Sequence, residues 1–223
     1  RAGRMMIHYV GKVYNFNENF THSNQDTLIE LDLVIKQLDI YLKNSDQKGK
    51  KQSLIFDPKG TNYSLKELLN SKNWECNLKI PNKFNSLGKD IDFYKDNLLL
   101  EVQFSNYPFL LNNIIRSELF HKNEAILKKK IHGLIIITKV HAFPSSNSTL
   151  YYEQAKKQID LLAENNLFTI PLRLIGLTCD ENKENLITWS EYKEQRYSRE
   201  VSRQEKKTMK VTKKKENSFF VFE

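Results

Sequence analysis

Cysteine is almost missing from this chain: two in 223 residues, Cys76 and Cys179, with neither the spacing of a metal site nor the number of a disulfide framework. They read as buried or free thiols, as a reducing compartment allows. The few glycines form no G-x-x-x-x-G-K-[ST] and no G-x-S-x-G, so P-loop and hydrolase-elbow chemistry have no carrier. No C-x-x-C or H-E-x-x-H pair is present to bind zinc. The five histidines, His8, His22, His121, His132 and His141, are scattered and read as surface or packing residues. No apolar run approaches the ~20 residues of a membrane span, and no secretory signal is visible. A soluble, cytoplasmic protein is the expectation. The opening RAGR before Met5 and Met6 is read as a vector or processing remnant and is set aside, and no internal repeat is found.

Hydrophobic residues make up 39% of the chain, enough for one good core, so one domain with embellishments is the economical organisation. The formal net charge of +8 is lopsided, because residues 196–215 hold nine Lys or Arg against Glu200 and Glu205. Such a run is by default a solvated tail. It can also neutralise phosphates and give salt-dependent nucleic-acid affinity.

Periodicity predicts an amphipathic helix over 26–43, carried by Leu31, Val34, Ile35, Leu38, Tyr41 and Leu42. A polar, Lys-rich mobile loop over 44–52 follows, then a short helix at 65–69. A helix over 108–129 begins with Pro108 in its first turn. Beyond it come a buried strand at 134–138, a helix at 151–165 and a strand at 172–178. This alternation implies parallel crossover pairing, hence an α/β fold with a mixed central β-sheet flanked by helices.

The most informative stretch is 90–104, DIDFYKDNLLLEVQF. Lys95, Asp96 and Asn97 supply turn chemistry between two segments. Period-two alternation puts Glu101 and Gln103 on one face, with Val102 and Phe104 on the other. If the segments pair antiparallel, Asp92 comes opposite that polar face. Spacing alone is a weak signal, and Asp92, Asp96 and Glu101 could be ordinary turn and surface acids. However, Leu98, Leu99, Leu100, Val102 and Phe104 mark a strand buried on both faces, where a Glu and a Gln need partners. A divalent cation is one such partner, and a cation beside a phosphate is what a phosphodiesterase requires.

Around this hairpin longer strings become recognisable. EVQFSNYPFLLNN (101–113), RSELFHK (116–122), SLIFDPKGTN (53–62), the spaced IP-K-F-LG-DIDF (80–93), IIITKVHAFPSSNS (135–148), LYYEQA (150–155) and RYSR (196–199) resemble, in order, the BglII family of type II restriction endonucleases, within the PD-(D/E)XK nuclease superfamily. The resemblance covers about 53–199, and nothing is carried over at the two ends.

It implies a restriction-endonuclease-like core at 1–199 with an N-terminal helical region, and a basic extension at 200–223 of the same domain. The implied activity is metal-dependent hydrolysis of double-stranded DNA at a short palindrome, AGATCT, by a homodimer. It implies that Asp92, Glu101 and the main-chain carbonyl of Val102 hold Mg²⁺, with Mn²⁺ able to substitute. Gln103 stands where most members of the superfamily place a Lys, and Asn77 matches an active-site Asn. Ser105, Asn106, Asn147, Ser148, Tyr197 and Arg199 match DNA-recognition positions. On the residues alone, Asn77 reads as a loop residue, Asn106 as a helix cap, 144–148 as a turn, and Arg199 as a phosphate contact. A less specific nuclease of repair or defence, and a catalytically silent DNA-binding module, remain as alternative readings.

Overall fold

The structure, a computed structural model, describes residues 8–47, 53–146, 148–180, 183–194, 200–213 and 220–222. In chain order the elements are β1 (His8–Tyr14), α1 (Glu18–Lys36), β2 (Ile40–Asn44), β3 (Leu54–Phe56), α2 (Pro58–Ser71), β4 (Glu75–Lys79), a 3₁₀ helix (Asn82–Leu87), β5 (Asp90–Lys95), β6 (Leu98–Val102), α3 (Phe109–Lys122), α4 (Glu124–Leu127), β7 (Gly133–Lys139), α5 (Tyr152–Glu164), β8 (Leu172–Thr178), β9 (Glu184–Tyr192), β10 (Val201–Lys213) and β11 (Phe220–Phe222).

Two mixed sheets result. The larger runs β1-β8-β7-β6-β5-β4, with β6, β7 and β8 parallel and the remaining neighbours antiparallel. The parallel strands are the apolar runs of the sequence, and alternate residues along them feed two separate cores. Leu98, Leu100, Ile135, Ile137, Ile175 and Leu177 join Leu31, Ile35 and Leu65 of α1 and α2 on one side. Leu99, Leu134, Ile136, Leu172 and Leu174 join Leu110, Ile114 and Phe120 of α3 and Ile159 of α5 on the other. The expected mixed sheet flanked by helices is therefore present.

The smaller sheet, β11-β10-β9-β2-β3, was not anticipated. The helix expected over 26–43 starts earlier, where the Asn17 side chain caps it by accepting from Phe20 N–H, and ends at Lys36, where Gln37 N–H and Leu38 N–H donate to the Val34 and Ile35 carbonyls in a tightened last turn. Tyr41 and Leu42 belong to β2, where Leu42 pairs with Phe56 and, on the other side, with Trp189. Of the loop expected over 44–52, Asn44 closes β2 and Ser45 N–H donates to the Ser53 carbonyl at 2.8 Å, while 48–52 lie outside the described residues. The helix expected over 108–129 breaks at Asn123, which leaves helical geometry and caps α4. The short helix at 65–69 is the interior of α2. The basic run is a strand where it is described: β10 pairs antiparallel with β9 from Val201 to Lys210, and Arg203 and Lys207 lie over the Trp189 ring.

Glu118 fastens α3 to the chain entering β8. Its carboxylate is buried and accepts from Thr169 N–H and hydroxyl at 2.9 and 2.8 Å and from Ile170 N–H at 2.7 Å. Burial alone would raise its pKa, but those donors, with Lys122, hold it below the ordinary glutamate value. A depressed folded-state pKa contributes stability that is present above the unfolded value and is lost as pH falls through the folded one. Glu118→Gln should therefore cost about 1–3 kcal/mol at neutral pH, because an amide cannot accept all those bonds. The gap to the unaltered protein should shrink below about pH 4. Denaturant unfolding across pH checks both, and a gap that widens in acid would contradict the assignment.

Candidate active site

The β5–β6 hairpin turns through Asp96 and Asn97, both at positive φ (48° and 66°), as a two-residue turn between twisted strands needs. Its register pairs Lys95 with Leu98, Tyr94 with Leu99 and Phe93 with Leu100. The regular ladder then stops. One step further, side chains take over its bonds: Val102 N–H donates to Asp92 Oδ2 at 2.8 Å, and Asp92 N–H reaches Glu101 Oε2 at 3.5 Å. The phase of β5 also changes here, since Ile91 joins one core and Phe93 the other. On the far side Cys76 pairs with Phe93 and Leu78 with Ile91, so Asn77 comes level with Asp92. Asn77 lies within β4 in the left-handed region, φ 52°, which Asn tolerates. A row Asn77, Asp92, Glu101 thus crosses three strands.

Burial sets the electrostatics of this row. Glu101 is 4% exposed, and burial together with the neighbouring Asp92 charge pushes its pKa up to about 8 against the pull of Arg116. Burial also raises Asp92, countered by its bond from Val102 N–H. Arg116, itself buried, forms an ion pair with Glu101 Oε1 and donates to the Leu87 and Asp90 carbonyls at 3.1 and 3.3 Å. Two carboxylates against one guanidinium leave one negative charge in excess if both ionise. A further cation would relieve it.

Gln103 is 7% exposed and held at both ends: its Nε2 donates to the Asn106 carbonyl and its Oε1 accepts from Asn113 Nδ2, each at 3.1 Å. The face shared by Glu101 and Gln103 therefore meets α3 through Arg116 and Asn113. Ser105 and Asn106 are exposed beside it and line, with Asp92, Glu101 and Gln103, one cleft of about 390 Å³. Ser148 is exposed next to them, its carbonyl accepting from Asn106 N–H at 2.7 Å. A smaller cavity of about 210 Å³ shares Asn62, Asp92 and Val102 with that cleft and is lined further by Lys66, Cys76, Asn77 and Phe93. Asn147, Tyr197 and Arg199 lie outside the described residues. Among the described residues no three His, Cys, Asp or Glu side chains converge as a metal cluster.

The family model described as "Restriction endonuclease BglII/BglIII" matches residues 12–177. The chain belongs to the BglII/BglIII restriction endonuclease family. It is 50% identical over 177 residues, 79% of each chain, to the type II restriction enzyme BglII of Bacillus subtilis. The crystal structure of restriction endonuclease BglII complexed with a DNA 16-mer superposes with a TM-score of 0.91 at 42% identity, covering 97% of this chain and 99% of that one. Free BglII gives 0.75 at 40%, covering 97% and 100%.

Within this family setting, Arg116 and Asn113 are the residues the sequence reading missed. Their signal was present: both lie on the inward arc of α3 between Leu110 and Phe120, where an Arg must find a buried acid. His121, read as a surface or packing residue, is half-buried, its Nδ1 2.6 Å from the Ile131 carbonyl. Gly88 is equally specific. Its φ of 111° suits glycine, and an added Cβ would sit 2.5 Å from Arg116 Nη1. Gly88→Ala should lower stability by about 1–3 kcal/mol. It should also displace Arg116 from Glu101 and slow DNA cleavage; unfolding and single-turnover rates measure the two effects. Unchanged cleavage in a folded variant would show that Arg116 need not be held in this pose.

Proposed function

We propose that this chain is a type II restriction endonuclease cutting double-stranded DNA within AGATCT to leave 5′-phosphate and 3′-hydroxyl ends, with Asp92, Glu101, Gln103 and Asn77 as its catalytic row. The observation that carries this reading is the pair of neighbouring carboxylates, Glu101 buried and Asp92 half-buried, at the parting of β5 and β6. They open into the same cleft as Ser105 and Asn106.

Asp92, Glu101 and the Val102 carbonyl would hold Mg²⁺, with Mn²⁺ able to substitute, since an all-oxygen donor set suits a hard cation that keeps waters and phosphate oxygens as its other ligands. When bound, the cation supplies charge neutralisation at the phosphate and a more acidic water. Gln103 cannot act as a cationic stabiliser. With one lone pair of Oε1 facing Asn113, the second is free to accept from the attacking water and orient it. Asn77 sits level with Asp92 to steady that end of the row.

Ser105, Asn106 and Ser148, with Asn147, Tyr197 and Arg199, are assigned to DNA reading, Asn and Arg having the bidentate edges that adenine and guanine accept. A palindrome calls for twofold symmetry, hence a homodimer with one site per strand. Leu111, Ile115 and Leu119 support this: they are exposed at successive turns of α3 (43%, 52% and 38%), an apolar stripe left uncovered by the described residues of one copy. Among the described residues no helix is long and apolar enough to cross a membrane, and cytoplasmic action on DNA is part of this proposal.

Digestion of a sequenced plasmid with Mg²⁺ and mapping of the ends tests the reaction, and a smear without fixed ends would defeat it. Asp92→Asn and Glu101→Gln should each slow single-turnover cleavage by on the order of 10²–10³-fold, the scale for losing a charge-stabilising group, while duplex binding persists. Gln103→Leu should lose most cleavage and keep binding, because Leu neither accepts nor donates. Undiminished rates in that variant would remove Gln103 from the mechanism.

A further inference from the structure

Lys139, the last residue of β7, is among the described residues the one buried cation that the proposed mechanism does not use. It is 1% exposed, and its Nζ lies 2.7 Å from the Phe104 carbonyl, 2.5 Å from Thr149 Oγ1 and 2.9 Å from the Leu150 carbonyl. These partners are neutral, and the rings of Tyr151, Phe56 and Phe104 surround the group at 4.8, 5.5 and 5.9 Å. An ammonium has three donors for three acceptors, whereas a neutral amine would turn a lone pair towards one of them. The cage thus calls for the charged form, although burial lowers the group's pKa to about 7. Keeping an unpaired charge this deep is costly and calls for a reason beyond filling space.

The three acceptors belong to two segments. Phe104 directly precedes Ser105 and Asn106; Thr149 and Leu150 directly follow Ser148. The segments also meet each other: Asn106 N–H donates to the Ser148 carbonyl at 2.7 Å, Leu150 N–H to the Phe104 carbonyl at 3.2 Å, and Ser105 and Thr149 form an antiparallel bridge. Asn106 and Ser148 both sit at positive φ, 55° and 56°, a region that Asn tolerates and Ser adopts rarely. The same short stretch begins at Gln103, whose N–H donates to the Ile137 carbonyl of β7 at 2.9 Å. One ammonium therefore ties both segments to the end of the strand beside the catalytic row.

We propose that Lys139 is a positioning residue for sequence discrimination, pinning the segments 104–106 and 148–150 in the mutual register in which Ser105, Asn106 and Ser148 read DNA. This rests on the assignment of those three residues to DNA reading. Met at 139 would fill the volume and leave the backbone partly satisfied, since the Phe104 carbonyl still accepts from Thr149 Oγ1 and the Leu150 carbonyl from Thr138 Oγ1, each at 3.0 Å. The fold should survive while the register loosens. Arg does not replace a compact three-donor head in this cage.

The test is single-turnover cleavage of an AGATCT duplex and of duplexes with one base pair changed, with unfolding midpoints measured alongside, for Lys139→Met, the milder Thr149→Val, and Asn106→Ala. Lys139→Met should slow cognate cleavage by roughly 100-fold, as small misplacements do, and the cognate-to-variant rate ratio should fall at least tenfold. Thr149→Val should move the ratio the same way by less. A merely structural role would lower the midpoint and leave the ratio alone, and that result in folded Lys139→Met, with Asn106→Ala showing a reduced ratio, overturns the pin. If Lys139→Met does not fold, the ratio of Thr149→Val decides. An unchanged ratio in Asn106→Ala would instead overturn the DNA-reading assignment, and the pin with it.

Discussion

A buried carboxylate, Glu101, set beside a half-buried one, Asp92, is costly, and everything around the β5–β6 hairpin follows from making that arrangement tolerable. Asp92 takes the Val102 N–H, Glu101 takes Arg116, and the ladder gives up its regular bonds at the point where the two acids face each other. Burial still raises the pKa of both groups, and for Glu101 the neighbouring Asp92 charge adds to it. A stable protein without a cation to accommodate gains nothing from this arrangement, since apolar residues of similar volume would serve packing as well or better.

The rest of the architecture holds the hairpin rigid and brings α3 to it. The parallel strands β6, β7 and β8 are packed on both faces, so the end of β6 has little freedom. Through Arg116 and Asn113, α3 places one partner on Glu101 and one on Gln103 just past the strand, and Glu118 anchors the same helix to the chain entering β8. Gly88 leaves room for the guanidinium. The exposed stripe on the opposite side of α3 suits the proposed dimer, which would set two such sites across one palindrome.

The sequence was legible where order is local. The apolar run before Glu101, its period-two alternation and the turn residues Asp96 and Asn97 placed the hairpin and the shared face of Glu101 and Gln103, because these depend on neighbours in the chain. The smaller sheet was not legible. Tyr41 and Leu42 continue a helical spacing as well as they fit a strand, and β10 is so rich in Lys that composition reads as a tail. Arg116 and Lys139 were missed for another reason. The Glu101 partner lies 15 residues away and one Lys139 partner 35, so their roles exist only after packing. The fit of Asn77 beside Asp92 likewise depends on the register of β4 against β5.

The central claim is that Asp92 and Glu101 form a cation site in the unaltered protein bound to its duplex. Its most direct measurement is the side-chain carboxyl ¹³C resonances of the two residues during titration with Ca²⁺, which has the charge of Mg²⁺ and prefers the same oxygen ligands. The account predicts that both resonances move together, saturably and in proportion to one another, while that of Glu118 stays where it is. Carboxyl resonances at 92 and 101 that ignore the cation up to saturating concentration would contradict it.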